Sequence, residues 1–446
     1  MQPPASVPVP LESQRSPALH GSMRVPGDIT ITAMALAVAA LARGESVVET
    51  ASFGPETAAL AVALGALGVR VTRNANTWRI EGVGMNGLLA PQTDLDAGRS
   101  PLVAALLLGL CGTSDFDARV VGNLDAPEQF APLFDGLRRY GAAVAESGRG
   151  YWHADVRGPV LAPPIRHELP PDAALAKPAL LLAALQSPGI SSFTEGATLP
   201  NHAERMLGAF GAGLSVTPGA EAGRTFELGR FPSIRGRTVR VPGDPSLAAL
   251  AAVAASVVPG SELRIEQVLL NPARTMFLSA LVAMGASVEA HGFASHDGEE
   301  VADIAVVHQP LRGITLGAGH VSLMLEEIPY LAVAAAFADG DTVLQLPEDL
   351  PAGARARVAS AIRGLAANGV FCEADEQTLV IHGTGEVRGG GRVATGQDPA
   401  IGMAFLVMGM AAREQVTIDD RTGIEERFPG FVEAFEKAGA RFVRLT

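Results

Sequence analysis

One pattern recurs six times along this chain of 446 residues: an amphipathic helix ends at or near a glycine, and a short strand follows. Clear copies read ALGALGVRVTR and FVEAFEKAGARFVRL, and successive copies are roughly 70–84 residues apart. A glycine in the left-handed conformation closes a helix, and alternating apolar residues after it favour a strand. The glycines are Gly68, Gly141, Gly211, Gly285, Gly369 and Gly439. The repeat predicts six similar α/β units.

A second repeat divides the chain into two halves. MRVPGD occurs at Met23–Asp28 and VRVPGD at Val239–Asp244, and an alanine-rich helix is predicted after each. The chain is also too long for one ordinary core. We therefore expect two domains of three units each, with helices inside and sheets outside. The first comprises residues 28–241 and the second residues 21–27 plus 242–446.

The composition specifies how these domains pack. Hydrophobic residues make up 48% of the chain and aromatic residues only 5%, so small aliphatic side chains fill the core. The longest apolar runs, Pro101–Cys111, Leu247–Pro259 and Ile401–Ala412, are shorter than a bilayer span and predict buried helices. Residues 1–20 are rich in proline and polar residues, and we expect them to form a flexible tail.

Charge and cysteine usage exclude several classes of function. The net charge is −13, and no long basic run is present that would neutralise the phosphates of a nucleic acid. Cys111 and Cys372 lie in different halves without metal-ligand spacing, as is usual in a reducing cytoplasm. We expect a cytoplasmic monomer that binds a small molecule, contacts neither nucleic acid nor membrane, and uses no metal or other cofactor.

Several short phrases occur in an order that carries a resemblance. They include both VPGD segments, LDAG at Leu95–Gly98, NPART at Asn271–Thr275, EEIPYLAVAAAFADGDT at Glu326–Thr342 and RFPGF at Arg427–Phe431. From about Met23 to its end the chain resembles the enolpyruvyl transferases, and most closely the family of 5-enolpyruvylshikimate-3-phosphate (EPSP) synthase. The resemblance implies a two-lobed inside-out α/β barrel built from six βαβαββ-like repeats. It also implies transfer of the enolpyruvyl group of phosphoenolpyruvate to a hydroxyl of shikimate 3-phosphate.

The chain departs from that family where the resemblance places the cations that hold these anions. The opening motif of the family contains a lysine and an arginine where this chain has Ile29 and Met34, and a later arginine is Ala105. Near the C-terminus a lysine and a glutamate correspond to Gly353 and Ala354. Charge-assisted hydrogen bonds contribute about 1.5–3 kcal/mol each. The loss of several of them would together cost about as much free energy as the binding of a micromolar ligand provides. The sequence predicts a rewritten anion site.

The resemblance leaves a set of polar residues at its site positions. Glu326, Lys177 and Asp398 are the catalytic candidates. Expected to bind substrate are Asp28, Thr30, Thr32, Arg99, Ser100, Glu327, Arg355 and Arg357. Glu326 lies between the apolar segments SLML and IPYL, so burial is expected to raise its pKa and make it a base. Each of these residues also has a simpler interpretation: Glu326 as a helix-start carboxylate, Lys177 as a solvated lysine and Arg99 as an exposed loop residue.

Three functions remain open from the sequence. The first is a divergent transferase that moves the enolpyruvyl group onto an altered, shikimate-like acceptor. The second is a repurposed enzyme that abstracts a proton or eliminates water from a shikimate-type ring without phosphoenolpyruvate. The third is a non-catalytic member of the family that binds a metabolite or a protein. A shared fold does not choose among them, because function depends on the site.

Overall fold

The computed structural model describes residues 8–74, 77–124, 127–147, 151–196, 199–219, 223–229 and 233–445. The strands are β1 (Leu11–Gln14), β2 (His20–Met23), β3 (Arg43–Glu49), β4 (Arg70–Asn74), β5 (Thr77–Val83), β6 (Leu95–Asp96), β7 (Asp117–Gly122), β8 (Ala143–Ser147), β9 (Trp152–Arg157), β10 (Arg166–Leu169), β11 (Ser191–Glu195), β12 (Leu214–Pro218), β13 (Arg224–Leu228), β14 (Thr238–Arg240), β15 (Glu262–Leu269), β16 (Ser287–His296), β17 (Glu299–Val307), β18 (Thr315–Leu316), β19 (Asp339–Gln345), β20 (Cys372–Ala374), β21 (Thr378–Thr384), β22 (Arg392–Val393), β23 (Val416–Ile418) and β24 (Arg441–Arg444). The helices are α1 (Ile29–Leu41), α2 (Pro55–Ala66), α3 (Pro101–Cys111), α4 (Ala131–Arg139), α5 (Ala176–Leu185), α6 (His202–Ala209), α7 (Pro245–Val257), α8 (Met276–Ala283), α9 (Ala318–Val321), α10 (Ile328–Ala336), α11 (Ala352–Ala367), α12 (Pro399–Ala411), α13 (Thr422–Arg427) and α14 (Phe431–Ala438), with short 3-10 turns at Pro127–Phe130 and Ser322–Met324.

The chain divides into two compact units. The first unit contains residues 27–242 and 295–299, and the second contains the residues up to 26 together with 243–294 and 300–446. The boundaries at 26/27 and 242/243 fall inside the two VPGD segments.

Each unit carries three four-stranded mixed sheets. The sheets of the first unit have the orders β14-β3-β5-β4, β6-β7-β9-β8 and β10-β11-β13-β12, and those of the second unit β2-β15-β17-β16, β18-β19-β21-β20 and β22-β23-β1-β24. In every sheet one edge strand runs parallel to its neighbour. The six sheets share one strand arrangement, as the sixfold sequence repeat predicts.

Three buried helices fill the centre of each unit. Helices α1, α3 and α5 pack together in the first unit, and α7, α10 and α12 pack together in the second. Their side chains are buried almost without interruption, which is why their sequences are apolar all round rather than amphipathic. The prediction that the three longest apolar runs form buried helices is confirmed, since those runs fall on α3, α7 and α12. The units therefore have helices inside and sheets outside.

The six repeat glycines behave as predicted. Each has a positive φ, from 75° at Gly211 to 120° at Gly439, directly after helices α2, α4, α6, α8, α11 and α14. L-residues with a Cβ rarely adopt this conformation, so glycine at these positions ends the helix and redirects the chain into the next strand.

The expectation of a flexible N-terminal tail is wrong for residues 8–20. Strand β1 pairs antiparallel with both β23 and β24, and Leu11 and Leu19 are fully buried. Residues 1–7 lie outside the described part of the chain. Proline and polar residues are typical of a tail, whereas here Leu11 joins strands about 400 positions away, and the backbone N–H of Leu19 donates to Ser261 Oγ, 242 positions away. Within the described ranges, no helix combines the length and apolar character that a bilayer crossing requires.

Candidate active site

Polar side chains gather where the three buried helices of the second unit begin. Asp244 precedes α7 and accepts hydrogen bonds from the backbone N–H groups of Ser246 at 2.8 Å and Leu247 at 3.4 Å. Asp398 caps α12 in the same way, accepting from Ala400 N at 2.9 Å. Carboxylates suit these positions because a helix leaves N–H groups unpaired at its start, where the helix dipole favours negative charge.

We call this group the helix-end cluster. It consists of Asp244, Ser246, Arg274, Glu326, Glu327, Tyr330, Arg357, Asp398 and Arg427. Contacts between the starts of different helices hold it together: Ser246 of α7 donates a hydrogen bond from Oγ to Glu327 Oε1 at the start of α10. The charges of both Asp398 and Arg427 act on the hydroxyl of Tyr330, in the first turn of α10.

Glu327 is the residue in the cluster that is best suited to proton transfer. Only 6% of it is exposed. Burial, and next the negative charge of Glu326, raise the pKa of its carboxyl to about 7, against the opposing effects of the Ser246 hydrogen bond and of Arg274. A carboxyl with this pKa is present in both protonation states near neutral pH, which is the requirement for a general acid or base.

The expectation that Glu326 would be the buried carboxyl is wrong. Glu326 is exposed, and the burial predicted for it falls on the following residue. The turn that leads into α10 directs Met324 and Ile328 inward, and Glu327 shares their side of the chain. The apolar flanks in the sequence correctly indicated a buried acid, but a shift of one residue in the turn decides which glutamate it is.

The arginines of the cluster are paired with carboxylates of the same chain. Arg427 Nη2 lies 2.8 Å from Asp244 Oδ2, and Arg274 Nη2 lies 4.0 Å from Asp244 Oδ1. Arg357 Nε lies 2.7 Å from Asp398 Oδ2. Burial alone would raise the pKa of Asp244, but the charges of Arg427 and Arg274 lower it overall, so this carboxylate stays ionised.

One donor of this arrangement has no acceptor. Nη1 of Arg427 is buried and makes no hydrogen bond to any residue in the described ranges. Burial opposes the charge of Arg427, yet Asp244 and then Glu326 raise its pKa overall, so the guanidinium is positive. The cluster as a whole holds three arginines and four carboxylates.

In the first unit the predicted substrate-binding residues lie at helix starts. Asp28 caps α1 and accepts from Ile31 N at 2.8 Å, and Ser100 caps α3 and accepts from Val103 N at 3.3 Å. Thr32 Oγ1 donates to Asp28 O at 2.8 Å and accepts from Ser52 N at 3.0 Å, so the fold already uses this hydroxyl. Thr30 is half-buried in the first turn of α1, and Arg99 is exposed.

The positions at which the family resemblance expects cations are apolar in this structure. Ile29 is half-buried at the first position of α1, and Met34 and Ala105 are buried inside α1 and α3. In the second unit Arg355 and Arg357 both lie near the start of α11, but only Arg357 turns inward to Asp398, while Arg355 is exposed.

Lys177 is not the solvated lysine of the simpler interpretation. Its side chain is 1% exposed, and Nζ lies 3.0 Å from Glu195 Oε2 and 2.8 Å from Glu204 Oε1. The ring of Phe226 lies 5.1 Å from the same ammonium. Lys177 is therefore neither a solvated helix-end residue nor a group that projects from the helix starts; it ties α5 to β11 and α6 inside the first unit.

Sequence reasoning assigned no site role to Ser246, Arg274, Tyr330 or Arg427. Ser246 follows the second VPGD segment by two residues, and Arg427 is part of the RFPGF phrase. Both therefore lie in or directly beside segments that carry the resemblance. Their roles depend on contacts between distant segments, which no single motif displays. Among the residues that the structure describes, no three histidine, cysteine, aspartate or glutamate side chains are grouped in a way that would hold a metal ion.

Comparison with known proteins agrees with this architecture. The solved EPSP synthase from Acinetobacter baumannii superposes with a TM-score of 0.84 at 29% identity, over 98% of this chain and 100% of that one. The enolpyruvyl transferase NikO from Streptomyces tendae shares the fold with a TM-score of 0.75 at 18% identity, over 98% of this chain and 99% of that one. The six-sheet fold with its buried helix starts is thus that of the enolpyruvyl transferases.

The sequence comparisons define the family. The profile described as EPSP synthase (3-phosphoshikimate 1-carboxyvinyltransferase) matches residues 14–435. The 3-phosphoshikimate 1-carboxyvinyltransferase of Methylorubrum populi is 40% identical over 98% of both chains, and that of Chelativorans sp. is 37% identical over 97% of both. The chain belongs to the EPSP synthase family.

Proposed function

We propose that this chain is an acid–base enzyme that eliminates water from a shikimate-type cyclic polyol carboxylate without using phosphoenolpyruvate. The observation that carries the proposal is Glu327, a carboxyl at a buried helix start whose pKa is raised to about 7. As a carboxylate it takes a proton from a ring carbon; the protonated Glu327 then gives this proton to the departing ring hydroxyl, which leaves as water, and a carbon–carbon double bond forms. The proposal goes beyond the activity named for the relatives.

The charges of the helix-end cluster support a substrate with one negative charge. Three arginines face Asp244, Asp398 and Glu326, so the cluster is close to neutral when Glu327 is protonated and negative when Glu327 is ionised. Phosphoenolpyruvate and shikimate 3-phosphate each carry a phosphate in addition to a carboxylate, and holding them requires unpaired cations. A ring with a single carboxylate needs only one donor group of that kind.

The helix starts of the first unit, taken by themselves, also favour hydroxyl groups over phosphate as partners. Ile29, Met34 and Ala105 supply no charge where the family resemblance expects a lysine and two arginines. The polar groups at the starts of α1 and α3 are the carboxylate and hydroxyls of Asp28, Thr30 and Ser100. Hydroxyls and a carboxylate suit the hydroxyl groups of a polyol ring better than they suit a phosphate.

Carboxyvinyl transfer to shikimate 3-phosphate is the second candidate, and the relatives favour it. Proteins that are 36–40% identical over nearly the whole chain are named for this activity. This candidate requires that the anions be held without the cations that the family resemblance expects. It is therefore tested together with the first.

One nuclear magnetic resonance experiment separates the two candidates. The protein is mixed with shikimate, shikimate 3-phosphate and phosphoenolpyruvate, and proton and phosphorus signals are followed together. Loss of shikimate signals with a new vinyl proton and unchanged phosphoenolpyruvate supports elimination. Release of inorganic phosphate with a new enol ether supports carboxyvinyl transfer and overturns our proposal. Unchanged signals from all three compounds overturn both reactions on these substrates.

Two neighbouring variants test the role of Glu327. We expect Glu327→Gln to reduce turnover at least 100-fold, because an amide cannot exchange the proton. Glu326→Gln should keep turnover and move the rise of kcat with pH, expected near pH 7, to lower pH, since the charge of Glu326 helps to raise the pKa of Glu327. Full activity of a folded Glu327→Gln enzyme would exclude it as the proton-transfer group.

A further inference from the structure

We infer that Arg427 positions the substrate by binding its carboxylate through Nη1. The inference rests on the proposed function, since it assigns the residue that holds the single negative charge of a cyclic polyol carboxylate. The family resemblance assigns no such role to Arg427, and its neighbour Glu426 carries no positive charge.

The guanidinium of Arg427 is fixed on one side. Its Nη2 lies 2.8 Å from Oδ2 of Asp244, whose carboxylate is 1% exposed and also accepts backbone hydrogen bonds from the first turn of α7. Because the helix holds Asp244 in place, Asp244 holds the arginine in place. A planar guanidinium held along one edge presents its remaining N–H groups in a defined direction.

One nitrogen of the same guanidinium lacks an acceptor. Nη1 of Arg427 is buried, and no residue in the described ranges accepts its hydrogen bonds. A charged donor left without a partner away from water is unfavourable, and buried donors in folded proteins are ordinarily paired. The usual partner of an arginine edge is a carboxylate or a phosphate, bound by two parallel hydrogen bonds. The guanidinium carries a single positive charge, so a singly charged carboxylate is the anion that fits.

Arg427 and Glu327 are both held by residues at the start of α7. Asp244, which holds Arg427, and Ser246, which holds Glu327, are two residues apart at the start of α7. A substrate carboxylate bound by Arg427 therefore places the attached ring beside the first turn of α7, which Glu327 contacts from the start of α10. Arg427 would act as a positioning residue, since it touches the substrate without moving a proton.

The test compares an acid with its uncharged ester. Equilibrium binding and KM are measured for shikimate and for methyl shikimate with the full-length protein and its Arg427→Gln variant. We expect the variant to weaken shikimate binding about 10- to 100-fold, the equivalent of one charge-assisted hydrogen-bonded pair, and to leave methyl shikimate binding within about twofold. Arg427→Lys, which keeps the charge, should recover part of the loss. Arg363→Gln, on the exposed face of α11, is the matched control and should change neither value.

A second variant covers the case in which Arg427→Gln does not fold. If Arg427→Gln unfolds because Asp244 loses a partner, the double variant Asp244→Asn/Arg427→Gln removes both charges and should fold while still losing its preference for the acid. Shikimate that binds the wild type without turnover would refute the proposed elimination but leave the role of Arg427 measurable. Equal weakening for acid and ester, or a wild type that does not bind shikimate, would overturn the inference.

Discussion

Glu326 and Glu327 are adjacent residues of one type whose surroundings differ completely. The first is exposed to solvent, whereas the second accepts a hydrogen bond from Ser246 inside the start of a buried helix. The cost of ionising a carboxyl rises steeply as water is removed, and one step along the turn leads from an exposed carboxyl to a buried one whose pKa is raised to about 7. At the residue scale, burial of one side chain determines the chemistry that the site offers.

The titration of Glu327 should be visible in the stability of the protein. Its pKa in the folded protein, about 7, lies above the ordinary value of 4.5, so the folded state binds the proton more tightly. Its contribution to stability is complete below about pH 4.5 and is lost as the pH rises through 7. Because the side chain of Glu327→Gln does not titrate, the stability of this variant relative to wild type should rise by about 3 kcal/mol between pH 4 and pH 8. Urea unfolding at both pH values measures it, and a constant difference would contradict the buried titration.

Lys177 leads to a second prediction at the same scale. Lys177→Met leaves the carboxylates of Glu195 and Glu204 buried without their ammonium partner, and we expect the free energy of unfolding to fall by about 3–5 kcal/mol. Lys437→Met, at an exposed position of α14, is the control and should change it by less than about 0.5 kcal/mol. Thermal unfolding measures both. At a temperature where the Lys177→Met protein is folded, kcat should be unchanged; a selective loss of kcat would restore a catalytic role for Lys177.

The sequence was informative about which segments form the site and less informative about individual side chains. The VPGD repeat and the EEIPYL segment located the starts of α7 and α10, because helix-start motifs are local. The partners of Lys177 and Arg427 were not predictable, since Glu195, Glu204 and Asp244 come close only through the packing of separate elements. The same is true of Ser246 and Glu327, which are 81 residues apart.

The helices inside each unit depend on small residues where two of them meet. A Cβ atom built on Gly109 of α3 would lie 2.3 Å from the carbonyl oxygen of Ala179 in α5, closer than two such atoms approach. Glycine at this position is therefore what permits the two helices to touch. At the element scale the composition rich in alanine and glycine, noted from the sequence, reflects closely spaced central helices.

Two helical glycines give a matched test of this packing. Gly109→Ala should destabilise the protein by about 1–3 kcal/mol, because α3 and α5 must separate to admit the methyl group. Gly65→Ala, in α2 with open space around the added Cβ, should stabilise it by about 0.5–1 kcal/mol through helix propensity. Chemical denaturation of both variants under one condition checks the pair. Changes of the same sign would show that α3 and α5 do not meet as described.

The first strand of the chain completes its last sheet, which the sequence repeat does not reveal. The six helix–glycine–strand units were readable because each is local, but the final sheet contains β1, which precedes all six. This strand lies between β23 and β24, so the beginning of the chain completes the last repeat. A segment of four residues whose pairing partners lie about 400 positions away carries no periodic signal, so its sequence alone does not distinguish it from a tail.

Removal of β1 should therefore affect the protein as a whole. A chain lacking residues 1–15 loses an interior strand and buried Leu11, and we expect it to unfold at least 10 °C below the full chain or to aggregate. A synthetic peptide of residues 8–16 should restore part of the stability by occupying the vacant strand position. In that peptide, replacement of Leu11 by Asp should abolish the rescue, while replacement of exposed Gln14 by Ala should not. Normal melting of the truncated chain would mean that β1 is dispensable.

The burial of Lys177 has a consequence for how the protein can be handled. The sequence contains two lysines, and in the native fold Lys437 is exposed while Lys177 is enclosed by carboxylates and an aromatic ring. Of the two lysines, an acylating reagent should therefore modify Lys437 and leave Lys177 unmodified. Mass spectrometry of the peptide that contains Lys177 measures the rate at which this lysine is acylated. That rate would report how often the first unit opens locally, without an added label site.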